Sequence, residues 1–110
     1  MCGRFLITTP LEGVKEWFTP ASIAPVPPND NAAPTQNLGV LAYGPDQRLH
    51  LAAMQWGLVP AWAEEAKGSA ININARSETI FEKPSFREAV RARPCLVPAN
   101  GFYEWNPEDK

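Results

Sequence analysis

Gln36-Asn37-Leu38-Gly39-Val40-Leu41-Ala42-Tyr43 and Arg48-Leu49-His50-Leu51-Ala52-Ala53-Met54-Gln55-Trp56 flank Gly44-Pro45-Asp46-Gln47, and these three stretches decide the fold. Glycine, proline and aspartate supply the dihedral freedom, the fixed φ and the side-chain acceptor that a chain reversal uses. The flanks are therefore predicted to be two strands of an antiparallel hairpin. His50 alternates with Leu49 and Leu51, which places it on the outward face. Nothing near it suggests a metal or a triad, and it is assigned no role.

Working outward, Thr9-Pro10-Leu11-Glu12 reads as a capping box with proline at the first helical position. Leu11, Val14 and Phe18 recur at helical spacing with Trp17 beside them, predicting a helix to about Phe18 that stops near Pro20. Residues 19–35 hold Pro20, Pro25, Pro27, Pro28 and Pro34, which cannot donate to a ladder, and read as a long ordered loop. After the hairpin, Ala70 to Ala75 alternates Ile71 and Ile73 with Asn72 and Asn74, a strand period that puts both asparagines on one face. Ser85-Phe86-Arg87-Glu88 reads as a second capping box, opening a helix that ends before Pro94 with Arg91 and Arg93 suited to its dipole. Cys95 to Pro98 and Gly101 to Trp105 are predicted short strands. The last is aromatic-rich and is followed only by Asn106 to Lys110, so it is expected at an exposed sheet edge. That ending suggests a truncated chain or a split gene product, completed by a complementary segment or second chain.

A length of 110 residues fits one domain, residues 1–110, and excludes separate cofactor and substrate lobes. Hydrophobic residues at 45% suffice for a core, while 12 prolines and 7 glycines indicate a loop-rich globular chain. Ten Lys and Arg against 12 Asp and Glu give a net charge of −2, so bulk positive charge does not drive nucleic-acid binding and any anion site is local. Two cysteines do not make a disulfide scaffold, and no signal peptide or twenty-residue apolar stretch is present, which points to the cytoplasm and to no membrane partner.

Three places could carry chemistry. Cys2 follows the initiator methionine and is small enough for Met1 to be removed, which would leave a terminal thiol beside an α-amine, both titrating near neutrality. Such a 1,2-aminothiol can condense with an aldehyde and close to a thiazolidine, or use sulfur alone as nucleophile. The alternative is a small buried hydrophobe at an arbitrary start. In Ile73-Asn74-Ala75-Arg76-Ser77-Glu78, Asn74 could donate to a carbonyl or hydroxyl and Arg76 could fork onto a phosphate; a solvated loop end is the bland reading. Glu104 sits between Tyr103 and Trp105. Facing inward it would be a general acid, facing outward an ordinary strand residue, and period two does not choose. Trp56 and Trp62 bracket a Gly/Pro-shaped loop that could stack on bases or cap a core. Cys95 is expected in the core, and no residue set calls for a metal or cofactor.

Met1-Cys2-Gly3-Arg4-Phe5, Asn31-Ala32-Ala33-Pro34-Thr35-Gln36, Trp56-Gly57-Leu58-Val59-Pro60-Ala61-Trp62, Ile73-Asn74-Ala75-Arg76-Ser77-Glu78-Thr79 and Arg93-Pro94-Cys95-Leu96-Val97-Pro98-Ala99-Asn100-Gly101-Phe102-Tyr103-Glu104-Trp105 together resemble the SOS-response-associated peptidase (SRAP) family, in order and along the whole chain. The resemblance implies an α+β domain with a curved, barrel-like antiparallel sheet and a groove for single-stranded DNA. It implies that Cys2, freed of Met1, captures the ring-opened aldehyde of an abasic site as a thiazolidine DNA–protein crosslink. Asn74 would position the aminothiol or the deoxyribose, and Glu104 would act as acid and base. Arg4 and Arg76 would hold the flanking phosphates, with Pro34 and Trp62 lining the groove and interrupting base stacking. The family name reflects a proposed autoproteolysis, hence a hydrolase or peptidase label. Family members continue past this point into a half that supplies further strands and a histidine in a His-x-Arg-type motif; His50 lies outside any such motif.

Two rival readings belong to other classes. Class II glutamine amidotransferases also begin Met-Cys-Gly, and Asn100-Gly101 could build the oxyanion hole of an N-terminal-nucleophile amidohydrolase. A non-catalytic DNA-binding module with an inert Cys2 is the other.

Overall fold

The computed structural model describes residues 2–60, 62 and 72–108. Its elements run β1 (Arg4–Ile7), a 3₁₀ helix (Leu11–Glu16), β2 (Asn29–Ala32), β3 (Asn37–Tyr43), β4 (Leu49–Gln55), α1 (Arg87–Ala92) and β5 (Gly101–Tyr103). This is an α+β fold of antiparallel strands and short helices. β3 and β4 form one two-stranded sheet, and β2-β1-β5 form a second of three strands. Among the described residues the two sheets stay separate and do not close into a barrel.

The hairpin forms as its sequence predicts, in continuous register from Asn37↔Gln55 to Tyr43↔Leu49. Its turn runs through Pro45 and Asp46 to Gln47, which takes the left-handed conformation (φ 62) that lets a three-residue loop match strand twist. Gly44 suits this turn, because a Cβ would stand 3.1 Å from both the Asp46 carboxylate and the His50 ring and would push those side chains aside. His50 is not idle. Its Nδ1 lies 2.7 Å from Ser22 Oγ and its Nε2 2.9 Å from the Asp46 carboxylate, which also accepts the Arg48 backbone N–H at 3.0 Å. That Arg48 amide, then His50, hold the Asp46 carboxyl below the usual carboxylate range.

β3 is buried over Leu38–Leu41 because both of its faces are covered. Leu38 joins Phe5, Ile7 and Ala32 between the sheets, while Leu41 joins Leu51, Leu11 and Val14 under the 3₁₀ helix. Full burial of such side chains stabilises by about 1.5–3 kcal/mol each, so β3 anchors both clusters.

Neither predicted capping box is used. The first helix is a 3₁₀ segment capped by Pro10 without a side-chain hydrogen bond, because Thr9 is held by Asn100 instead. α1 begins after Phe86, and Ser85 caps nothing. The helix ends before Pro94 as expected, but Arg91 donates to the Phe81 carbonyl and Arg93 to Glu88. The loop predicted for 19–35 contains β2, paired to β1 through Phe5↔Ala32, because Asn29, Asp30 and Asn31 keep the backbone donors that the prolines lack. Of the strand predicted over Ala70 to Ala75, Ala70 and Ile71 lie outside the described residues, and Asn72 makes a single bridge to Leu58. Cys95 to Pro98 likewise reduces to one bridge, Leu41↔Leu96. No helix among the described residues is long and apolar enough to cross a membrane.

Candidate functional site

Cys2 is half-buried just ahead of β1 and packs on the Phe5, Ile7, Ala32 and Leu38 cluster. Its thiol donates to the Arg4 carbonyl at 3.2 Å, so sulfur must give up that bond before attacking carbon. Asn74 Nδ2 donates to the Cys2 carbonyl at 2.9 Å, across 72 residues of sequence. Asn74 thus fixes the backbone that carries the thiol rather than the thiol itself. The segment bearing it is docked by a two-way backbone pair, Leu58 N to Asn72 O at 2.8 Å and Asn72 N to Leu58 O at 3.0 Å. As the alternation predicts, Asn72 and Asn74 share a side and are half-buried, while Ile73 points to solvent. The polar face is the inner one, since amides that find partners can be buried while an isoleucine without apolar neighbours gains nothing.

The two sheets border a groove of about 1180 Å³. Cys2, Phe5, Leu38, Trp56, Phe102 and Glu104 are on its walls. On β5, Phe102 pairs with Phe5 and faces the groove, and Glu104 follows two residues later on the same side. Glu104 therefore shares the groove with Cys2, and it is solvent-exposed. Cys95 also lines this groove and is exposed, correcting its expected place in the core. Only Leu96 beside it is bound to the sheet, through Leu41.

The residues expected at DNA are more dispersed. Arg4 pairs with Tyr103, on the opposite side of β1 from the buried Phe5, and its Nη1 donates to Asn31 Oδ1 at 3.3 Å. Arg76 is exposed in a shallow hollow of about 460 Å³ formed by residues 75–79, two positions past Asn74. Pro34 occupies the second position of a turn closed by Gln36 N to Ala33 O at 3.2 Å, with Thr35 at φ 76. Trp62 is 66% exposed. Neither Pro34 nor Trp62 is on the groove wall. The structure thus brings Asn74 onto Cys2 and places Cys2 and Glu104 on the walls of one groove, while Arg4, Arg76, Pro34 and Trp62 lie off those walls.

Two residues to which sequence reasoning gave other or alternative roles organise the site: Asn100, read as a possible oxyanion-hole residue, and Trp56, which takes the core-capping alternative. Asn100 Oδ1 accepts from Thr8 N at 2.7 Å and Thr9 N at 3.2 Å, and its Nδ2 donates to Thr9 Oγ1 at 3.1 Å. It laces the end of β1 to the start of β5. Trp56, one residue past β4, donates its indole N–H to the Ile73 carbonyl at 3.0 Å while its ring meets Phe5 at 5.2 Å. A tryptophan at a strand end followed by glycine (Gly57, φ 138) was the available signal for a side chain turned back on the core.

Comparison with known proteins agrees with this geometry. The profile of the SOS response associated peptidase (SRAP) family matches residues 1–110. Abasic site processing protein YoqW of Bacillus subtilis (strain 168) is 40% identical over 113 residues, covering 99% of this chain and 50% of that protein. Abasic site processing protein YoaM of the same organism is 39% identical over 99% of this chain and 49% of its own length. Abasic site processing protein HMCES of Pongo abelii is 37% identical over 82% of this chain and 28% of its own length. The chain spans about half the length of these bacterial relatives. A family profile matched along residues 1–110, together with relatives about 40% identical over nearly all of the chain, makes this chain a member of the SRAP family.

Proposed function

We propose that this chain recognises abasic sites in single-stranded DNA and captures them covalently through Cys2, shielding the lesion during the DNA damage response. With Met1 removed, the Cys2 amine adds to the lesion's aldehyde carbon and the carbinolamine loses water to give an imine. The thiol then adds to the same carbon as nitrogen regains a proton, closing a thiazolidine with release of one water overall. Glu104 supplies and takes the protons, Asn74 holds the Cys2 backbone, and Arg4 and Arg76 meet the flanking phosphates. Pro34 and Trp62 limit base stacking beside the lesion. Release of Met1 is the sense in which a peptidase or hydrolase activity applies, and DNA strand chemistry at the captured lesion the sense in which a lyase one does.

The observation that carries this reading is the meeting of Asn74 and Cys2 at 2.9 Å on the groove that Glu104 also faces. The open groove, with Phe102 69% and Trp105 90% exposed beside it, supports residues 1–110 as the N-terminal part of a domain whose complementary segment adds strands toward a barrel.

The test is the intact mass after incubation with single-stranded DNA holding one abasic site. The expected product is protein lacking Met1 plus oligonucleotide less one water, stable in denaturant. Processed protein that leaves only dissociable complexes, or Met1-bearing protein that links as fast, overturns the mechanism. A 110-residue monomer that unfolds cooperatively and links rapidly alone would remove the need for a complement while leaving the Cys2 chemistry intact.

A further inference from the structure

We infer that Trp56 is a positioning residue for the chemistry at Cys2, acting through Asn74. The inference rests on the reading of Cys2 as nucleophile given above. Among the described residues, Asn74 reaches the Cys2 carbonyl from a segment whose backbone pairing with the rest of the fold is the Leu58↔Asn72 bridge. That bridge lies two residues before Asn74 and leaves the dihedrals of Ile73 unconstrained. The indole N–H of Trp56 on the Ile73 carbonyl, one residue before Asn74, is a second tether that restrains that residue. Trp56 is itself held at three points. Its backbone N–H donates to the Gln36 carbonyl at 3.0 Å, its carbonyl accepts from Thr35 N at 2.8 Å, and its ring is tilted at 47° against Phe5. Phe5 lies on β1, three residues from Cys2. Trp56 therefore touches both parts that must meet, the strand that follows Cys2 and the segment that carries Asn74, and sets the distance between them.

The chemistry gives this tether a use. Ring closure requires the amine and the thiol of one residue to address a single carbon atom in succession, so the Cys2 backbone must keep one orientation through both steps. Asn74 supplies that orientation only while its own backbone is fixed. Among the described residues, the hydrogen bond from Trp56 is the side-chain contact nearest to Asn74 that fixes it, Asn72 Nδ2 reaching the Leu58 carbonyl only at 3.5 Å.

Trp56→Phe keeps the ring packing and deletes the donor. Single-turnover crosslinking to abasic single-stranded DNA is expected to slow about fivefold, the worth of one net hydrogen bond, with the thermal midpoint held within a few degrees. Asn74→Ala should slow it further, and the double variant should be no slower than Asn74→Ala alone, because Trp56 has nothing left to position. A Trp56→Phe rate equal to wild type, or slowing factors that multiply in the double variant, overturns the inference. Hydrogen exchange at the Asn74 side-chain amide is a readout independent of DNA. It should be protected in the wild type and lose protection in Trp56→Phe, and unchanged protection overturns the inference. Should the wild type form no crosslink, the reading of Cys2 fails, and the exchange measurement still decides whether Trp56 fixes Asn74.

Discussion

The tip of the β3–β4 hairpin and the groove that holds Cys2 both gather polar side chains, but over very different distances along the chain. At the tip, Asp46 meets Arg48 two residues away and His50 four residues away, with Ser22 closing the group. At the groove, Asn74 meets Cys2 across 72 residues, and Asn100 meets Thr8 across 92. The tip satisfies its own groups and opens on nothing, so its serine, histidine and aspartate are a clip that orders a turn. The groove end brings a thiol, an amide and a carboxylate to an open space. Long-range convergence on a cavity distinguishes a site from a fastening, even where the fastening contains a more familiar set of residues.

This contrast can be broken at several points. Cys2→Ser keeps the terminal amine and loses the thiol, so only a hydrolysable imine should form and denaturant-stable adduct should vanish, while thermal unfolding stays unchanged. Persistence of the adduct on a denaturing gel would move the nucleophile elsewhere. Leu51→Ala, in the cluster beneath the hairpin, should lower stability by about 2–5 kcal/mol in urea titration, whereas Phe102→Ala at the groove should cost under about 0.5 kcal/mol in the isolated chain. Equal losses would mean that the groove wall is already packed. Asn100→Ala strips the acceptor from the Thr8 and Thr9 amides and should cost about 1–3 kcal/mol; a neutral result would show that water replaces it. Arg76→Ala should flatten the log–log salt dependence of single-stranded DNA binding by about 0.7, and an unchanged slope would place Arg76 away from the phosphates.

The smallest effect belongs to the clip. Folding lowers the Asp46 pKa below its ordinary value of 3.8, so the stability it contributes is present above that value and is lost as pH falls through the folded-state value. The difference in thermal midpoint between wild type and Asp46→Asn should accordingly close in acid below about pH 4. A gap that persists there would assign the effect to shape rather than charge.

The same division explains what could be read in advance. The hairpin was legible because its turn residues and flanking apolar runs are contiguous. The shared face of Asn72 and Asn74 was legible because period two is a local property. The capping boxes misled because Thr9 is claimed by Asn100, a partner at the far end of the chain that no local pattern names. β2 was hidden among prolines, although Asn29 to Ala32 contains none. The joint use of Cys2, Asn74 and Glu104 was suggested only by family resemblance, since spacing alone left each with an ordinary structural alternative; of the three, the structure joins Asn74 to Cys2 directly. Trp56 was seen as a loop aromatic, and its tie to Ile73 depends on a return of the chain that sequence does not announce.

The span between Cys2 and Asn74 also sets a clock during synthesis. The side chain that fastens the Cys2 carbonyl is made 72 residues after Cys2 itself, and at about 5–20 residues per second that interval lasts roughly 4–14 s. β5, which pairs with Arg4, Phe5 and Leu6, is made later still. Throughout this time the Cys2 carbonyl lacks its Asn74 partner and β1 lacks its β5 neighbour. On the proposed reading, the long reach that hides the site in the sequence also gives the trimming of Met1 an interval before those contacts form.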